Sequence, residues 1–241
     1  MIIKAAIKRG QSKACFGSAE REQARPKVKV CGMREAENIR EVERLRVGDG
    51  TSGMALGIDM MGFIFYPKSS RYVSERPAYL PQKCKRVGVF VDEDIESIKK
   101  IADDYALDFI QLHGHESPEQ ISHLSLLTPH LSIIKAFNIA TKEDLDATTS
   151  YEGLVDYFLF DTKGPSVGGN GEKFDWSVLE AYNGDTPFLL SGGIGPDDAE
   201  RILDYHPPKC IGIDLNSRFE IEPGIKDITK LKTFLNYGKQ D

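Results

Sequence analysis

With 241 residues, 40% of them hydrophobic and 28% charged, the chain is sized for one large α/β domain or two small ones and has apolar material for a sizeable core. Its net charge of −6 argues against bulk attraction to nucleic acid or an anionic membrane surface, and no apolar run reaches transmembrane length or forms a secretory leader. The four cysteines, Cys15, Cys31, Cys84 and Cys210, are scattered, with no CxxC and no histidine pairing at metal spacing, so they read as cytosolic thiols rather than a disulfide framework.

The first 25 residues differ in character from the rest: they carry a net charge of +4, which leaves −10 for the remainder. A basic leader with Ser and Ala fits an organelle transit peptide, and equally a mis-set start or a loose tail. Residues 1–25 are expected to be an extension outside the fold, with the folded domain at 26–241. From Lys27 a β-rich run followed by a helical stretch repeats along the chain. The predicted strands are Lys27–Cys31, Met60–Phe65, Arg86–Val91, Asp108–His113, Ser132–Phe137, a run ending on Asp161, Pro187–Ser191 and Cys210–Asp214. Predicted helices cover Glu35–Arg46, Ile95–Tyr105, Pro118–Leu127, Lys142–Ser150, a start near Asp175, Pro196–Tyr205 and Ile225–Tyr237. Gly48–Gly57 reads as a flexible link, and Pro77 and Pro81 make any helix at Arg76–Gln82 short or irregular. Eight such units in this length predict a single (β/α)8 TIM barrel. A doubly wound sheet would show its phosphate loop after the first strand, whereas the paired glycines here follow the seventh.

The stretch from Phe158 to Trp176 draws attention first. An apolar run ends on Asp161 and continues into a loop containing Gly168, Gly169 and Gly171, long for a βα connection without a ligand to meet. Taken alone, Asp161 also fits a strand-end hydrogen bond or a cap. Cys31, Arg71, His113, Asp161, Ser191 and Asp214 all fall at or just past strand ends, where barrel enzymes place their chemistry. Side-chain alternation sends Val28 and Val30 toward the helices and turns Lys27, Lys29 and Cys31 inward; Phe158 and Phe160 likewise leave Asp161 inward. An acid and a base on well-separated strands suit a proton-shuttling isomerisation. The plainer readings are a packed cysteine, a turn-capping His113, and a buried ion pair between Lys29 and a carboxylate of a neighbouring strand, with Asp59 the candidate. Gly192 and Gly193, between a strand and a helix start, offer backbone N–H groups to an anion.

The chain resembles the phosphoribosylanthranilate isomerase family. The matching stretches, in order, are Lys29-Val-Cys-Gly-Met33, Gly62-Phe-Ile-Phe65 with Ser69-Ser-Arg71, Val87-Gly-Val-Phe-Val91, Gln111-Leu-His-Gly-His-Glu116, Phe160-Asp-Thr162 with Gly168-Gly-Asn-Gly171, Phe174-Asp-Trp176, Ser191-Gly-Gly-Ile194, Gly212-Ile-Asp214 and Glu220 to Asp227. The resemblance implies an Amadori rearrangement of N-(5-phosphoribosyl)anthranilate in tryptophan biosynthesis, with no metal and no organic cofactor. It implies Cys31 as base, Asp161 as acid and Arg71 as the group that holds the anthranilate. The remaining substrate-binding candidates are His113, Gly192, Gly193, Asp214, Asn216 and Ser217. The expected partner is a small phosphorylated molecule, with neither nucleic acid nor membrane, for a cytoplasmic monomer or homodimer. The acid must stay protonated and the thiol must ionise, so both groups are expected to be shifted from their ordinary pKa. The chain departs from the family at Ser70, at Asn170 and at Asn216-Ser217-Arg218, where Ser-Ser-Gly is usual. Arg218 is therefore either a solvated loop residue or an extra phosphate ligand. Indole-3-glycerol-phosphate synthase fits less well, since it needs a catalytic lysine and glutamates at strand ends; a non-catalytic phosphate-binding subunit is the other alternative.

Overall fold

The computed structural model describes residues 25–45, 56–162, 175–205 and 207–237. The leader before Arg25 and the glycine loop holding Gly168, Gly169 and Gly171 lie outside the described residues. Eight parallel strands close into a barrel in chain order: β1 Lys27–Cys31, β2 Ile58–Ile64, β3 Lys85–Phe90, β4 Phe109–Leu112, β5 Ser132–Ile139, β6 Tyr157–Thr162, β7 Phe188–Ser191 and β8 Cys210–Leu215. β1 also pairs with β8, Lys29 opposite Asp214, which completes the ring.

Two apolar layers follow from the strand alternation. Met60, Val87, Ile134, Ala136, Leu159 and Leu189 fill the inside of the barrel. Val28, Val30, Phe63, Ile110, Phe158, Phe160 and Ile213 belong to the larger core shared with the surrounding helices. Both faces of each strand are thus covered, as parallel sheets require.

The helices are α1 Ala36–Glu43, α2 Ile95–Tyr105, α3 Pro118–Leu127, α4 Ala199–Leu203 and α5 Ile228–Leu235. Asp94 caps α2 through the Ser97 N–H, and Ser117 with Gln120 forms a reciprocal cap on α3, with Pro118 in the first turn. Three predicted helices take other forms. Lys142–Tyr151 and Trp176–Ala181 are 3-10 helices, and Pro196–Asp198 is a 3-10 turn leading into the short α4. In the first of these, side chains take local backbone groups: Asp144 accepts from the Ala140 and Thr141 N–H groups, and the Thr148 hydroxyl donates to the Leu145 carbonyl at 2.7 Å. The predicted start of the last helix is instead a small antiparallel hairpin, β9 Glu220–Glu222 with β10 Ile225–Lys226, turning at Gly224 with φ +89. The helix begins only after Asp227, whose side chain accepts from the Thr229 and Lys230 N–H groups. No helix occupies 76–82, in keeping with the two prolines.

Arg25, assigned to the extension from sequence, reaches the base of the barrel. Its guanidinium donates to both Asp59 oxygens, at 2.9 and 2.6 Å, and to the Gly57 carbonyl.

Candidate active site

The C-terminal ends of the strands surround a cavity of about 220 Å³. Cys31, Gln111, His113, Asp161, Ser191, Gly192, Gly193, Asp214, Asn216, Ser217 and Arg218 all line it. A larger groove of about 470 Å³ lies on the outer surface between Trp176 and Tyr205, where the Arg201 guanidinium sits 3.7 Å over the Trp176 ring. None of the strand-end groups reaches that groove.

Cys31 ends β1 and is buried. Gly62 on β2 makes room for it, because a Cβ there would stand 2.7 Å from the Cys31 sulfur. Lys29, two residues earlier on the same inner face, is fully buried and pairs with Asp214 Oδ1 at 2.9 Å. The partner expected from sequence, Asp59, lies elsewhere: it accepts from Arg25 and from the Val28 N–H. A barrel closes β1 on both sides, and the carboxylate in register with Lys29 is on β8. Burial pushes the Cys31 thiol up, and the Lys29 ammonium beside it only partly offsets this. The direction opposes the ready ionisation expected from sequence, since desolvation of the sulfur outweighs its counter-charge. Burial also works against the Lys29 charge, but Asp214 and Cys31 outweigh it and hold Lys29 above the ordinary lysine range.

Asp161 faces the cavity from β6, separated from β1 by β7 and β8 around the shorter arc. His113, one residue past β4, places Nε2 3.7 Å from Asp161 Oδ2. Its Nδ1 lies 3.1 Å from the Gln111 amide nitrogen, so His113 is held between an amide and the acid rather than capping a turn. Gln111 was not singled out from sequence; it is buried, and its Oε1 has no hydrogen-bond partner among the described residues.

At the other side of the mouth, Gly192 and Gly193 have φ of +93 and +67. A Cβ on Gly192 would lie 2.1 Å from the Thr162 carbonyl oxygen, while nothing stands within 4 Å of one on Gly193. The first glycine is required by packing, and the second leaves open space. Ser217 and Arg218 follow β8, with the Arg218 side chain lying over Gly195. Among the described residues only Asp92 and Ala106 are non-glycines with positive φ, so Arg218 carries no left-handed strain where the family usually has glycine. Asp214 is engaged by Lys29 and by the Ser191 hydroxyl at 3.4 Å.

Arg71 is not part of the cavity lining. Its Nε and Nη2 donate to Glu220, at 2.9 and 2.6 Å, while Nη1 makes only a long 3.4 Å bond to the Ser70 hydroxyl among the described residues. It does lie close to the mouth: a Cβ on Gly32, next to Cys31, would stand 2.7 Å from Arg71 Cδ and 3.0 Å from Asn216 Oδ1. Lys226 donates to Asn216 Oδ1 at 2.9 Å and to Glu220 Oε1 at 2.6 Å. Glu220 and Lys226 fell inside a stretch recognised only as a family match, and the mispredicted helix start hid the hairpin that aims them inward.

The family model described as N-(5'-phosphoribosyl)anthranilate isomerase matches residues 28–237. The N-(5'-phosphoribosyl)anthranilate isomerase of Parabacteroides distasonis is 52% identical over 214 residues, covering 86% of this chain and 91% of that protein. The crystal structure of phosphoribosyl anthranilate isomerase from Thermotoga maritima matches with a TM-score of 0.70 at 32% identity, covering 87% of this chain and 96% of that one. A crystal structure of phosphoribosyl anthranilate isomerase in complex with reduced 1-(o-carboxyphenylamino)-1-deoxyribulose 5-phosphate matches with a TM-score of 0.67 at 29% identity, with the same two coverages of 87% and 96%.

Proposed function

The chain belongs to the N-(5'-phosphoribosyl)anthranilate isomerase family and is an isomerase of tryptophan biosynthesis; within that activity we propose that Asp161 is the general acid and Cys31 the general base. Asp161 gives its proton to the ribose ring oxygen, the bond from that oxygen to C1 breaks, and the anthranilate nitrogen lone pair forms the C1 iminium. The Cys31 thiolate removes the proton from C2, and the electron pair neutralises the iminium to give an enolamine. Protonation at C1 and loss of the enol proton leave 1-(2-carboxyphenylamino)-1-deoxyribulose 5-phosphate. Every proton is accounted for by the two side chains and water, with no redox partner.

The observation that carries the assignment is the entry of Cys31 and Asp161 into one cavity from strands separated around the ring. Such a placement lets one group act on the ring oxygen and the other on C2. Lys29 supplies the positive charge that favours the thiolate. His113 faces Asp161 at 3.7 Å, beyond hydrogen-bond distance but close enough to act on the carboxyl group electrostatically. The phosphate goes to Gly192, Gly193 and Ser217, where backbone N–H groups and a hydroxyl meet in the usual phosphate position of the fold. Arg218 adds a guanidinium to that end. Arg71, held by Glu220 along one edge, offers the opposite edge to the anthranilate carboxylate. The ligand in the related complex is phosphorylated and carries a carboxyphenyl group, which supports a site with two anion-binding ends. Among the described residues no helix is long and apolar enough to cross a membrane, and no group of three His, Cys, Asp or Glu is placed to hold a metal ion. A cytoplasmic location suits the unbridged thiols of Cys31 and Cys210.

The test is turnover of freshly made N-(5'-phosphoribosyl)anthranilate, followed by fluorescence, with the purified chain and with Cys31→Ala and Asp161→Ala. Loss of a catalytic acid or base is expected to lower kcat by about 10²–10⁴-fold. A folded variant that keeps more than roughly a tenth of wild-type kcat removes that residue from its role.

A further inference from the structure

Behind Arg71 lies a buried group that reaches further than the one edge of the guanidinium it holds. Glu220 follows β8, opens the β9–β10 hairpin and is buried, with 9% of its surface exposed. Its Oε1 accepts from Arg71 Nε at 2.9 Å, Lys226 Nζ at 2.6 Å and the Gly224 N–H at 3.2 Å; its Oε2 accepts from Arg71 Nη2 at 2.6 Å. Lys226 is itself buried, and its backbone is clamped by the Asn38 side chain of α1, which donates to its carbonyl at 2.9 Å and accepts from its N–H at 2.8 Å. The ammonium of Lys226 then reaches Asn216, at the phosphate end of the cavity, at 2.9 Å. One unbroken chain of contacts, Arg71–Glu220–Lys226–Asn216, therefore runs behind Gly32 and Cys31.

Two features give this chain a role beyond packing. The first is its charge: two cations share one carboxylate, so the group carries a net positive charge in a largely dry place. Such a cluster favours an anion beside it, and both cations act on the Cys31 sulfur as well as facing the mouth where a substrate carboxylate would sit. The second is its geometry. Glu220 occupies the Nε and Nη2 side of the guanidinium, so the Nη1 end, whose one contact among the described residues is a long 3.4 Å bond to the exposed Ser70 hydroxyl, forms with the outer Nη2 hydrogen the fork that matches a carboxylate in two-pronged fashion.

We propose that Glu220 is a positioning residue that fixes the Arg71 fork for the substrate carboxylate and, through Lys226 and Asn216, links that end of the site to the phosphate end. This rests on the isomerase reading of the site and adds to it the group that holds its two anion-binding ends in register. Aspartate at this position keeps the charge but shortens the reach by one methylene, so Arg71 and Lys226 cannot both be met at their present distances.

The experiment uses the full chain and two probes that need no turnover, anthranilate for the carboxylate end and inorganic phosphate for the other. Each is titrated against wild type, Glu220→Asp, Glu220→Gln and Arg71→Lys. For Glu220→Asp the expected result is about tenfold weaker anthranilate binding, comparable to Arg71→Lys, and a smaller loss for inorganic phosphate. With substrate, KM rises by a similar factor while kcat changes less. The Glu220→Asp/Arg71→Lys pair is expected to be non-additive, because the two changes break one contact. Glu220→Gln removes the charge from between two buried cations and is read only where its melting curve shows a folded protein. A folded Glu220→Asp with unchanged anthranilate affinity and KM overturns the proposal. A lower melting temperature and a smaller active fraction at unchanged KM also overturn it, since they mark a purely structural role. If wild type binds both probes but does not turn over N-(5'-phosphoribosyl)anthranilate, the isomerase reading fails, while the probe titrations still decide the role of Glu220.

Discussion

Lys29→Met isolates the charge buried beneath Cys31, and its consequences can be worked through from the structure. Lys29 has no exposed surface, and its ammonium stands 2.9 Å from Asp214. Methionine fills much of the same volume but leaves the Asp214 carboxylate buried with, among the described residues, only the Ser191 hydroxyl at 3.4 Å. Breaking a buried pair by removing one partner costs about 3–5 kcal/mol. In a domain of this size about 1 kcal/mol moves the melting temperature by roughly 2–4 °C, so a fall of roughly 6–20 °C is expected. The second readout is catalytic. Lys29 is the main influence favouring the Cys31 thiolate, so its loss moves the thiol further up. Below the thiol pKa each unit of that movement lowers the ionised fraction about tenfold, and the rising limb of kcat/KM against pH shifts to the alkaline side. The control is Lys29→Met with Asp214→Asn, which removes both charges. It is expected to recover most of the melting temperature but only part of the rate, because Asp214 acts on the thiol less than Lys29 does and in the opposite sense. Thermal denaturation and a pH–rate profile read both effects. A melting temperature within a few degrees of wild type, together with an unmoved pH limb, would refute the reasoning.

Four further expectations follow from the same geometry. With wild type, kcat/KM should still be climbing as the pH passes the ordinary thiol range, since burial holds Cys31 above it; a flat profile argues against a thiolate base. Arg218→Gly should weaken inorganic phosphate binding several-fold and flatten its dependence on salt, while unchanged binding leaves Arg218 as a solvated loop residue. Gly192→Ala should destabilise the fold and disturb phosphate binding together, because its Cβ would meet the Thr162 carbonyl in a left-handed backbone; a normal melting curve removes that reason for the glycine. Deleting residues 1–24 should leave the melting temperature unchanged, whereas extending the deletion through Arg25 should cost no more than about 1 kcal/mol, the scale of an exposed ion pair, as read by denaturant titration.

The barrel was legible in the sequence because its strands are short apolar runs and its helices carry their own punctuation. The caps at Asp94 and Ser117 mark α2 and α3, and both boundaries agree with prediction. Where helices became 3-10, tertiary packing held an apolar residue such as Leu145 or Leu179 inward although the neighbouring residues favoured local backbone contacts. Alternation along β1 and β6 was enough to aim Cys31 and Asp161 into one mouth. Partners were harder to read. Lys29 stood out as a charge on an inward face, but whether it met β2 or β8 depended on the closure of the ring and its register. The Glu220–Lys226 contact depends on a short hairpin, residues 220–226, whose turn sits at Gly224, a detail that helical periodicity misses. Gln111 carried no signal beyond its place in a family-like stretch.

The uneven coat of the barrel has its own consequence. Between β3 and β5 the strands are covered by helices of 11 and 10 residues, whereas from β5 to β8 the cover among the described residues is mostly 3-10 with one five-residue α-helix. Hydrogen bonds in 3-10 segments are poorer in geometry, and segments held by few of them open at a lower free energy than the molecule as a whole. Amide exchange should therefore run faster across residues 142–151, 176–181 and 196–203 than across α2 and α3. Asp161, Gly192 and Gly193 sit on the strands and turns beneath that thinner cover, while Cys31 is anchored on β1. Partial opening would separate acid and phosphate grip from base before the barrel as a whole came apart, so warming should silence the enzyme at temperatures where most of its amides are still protected.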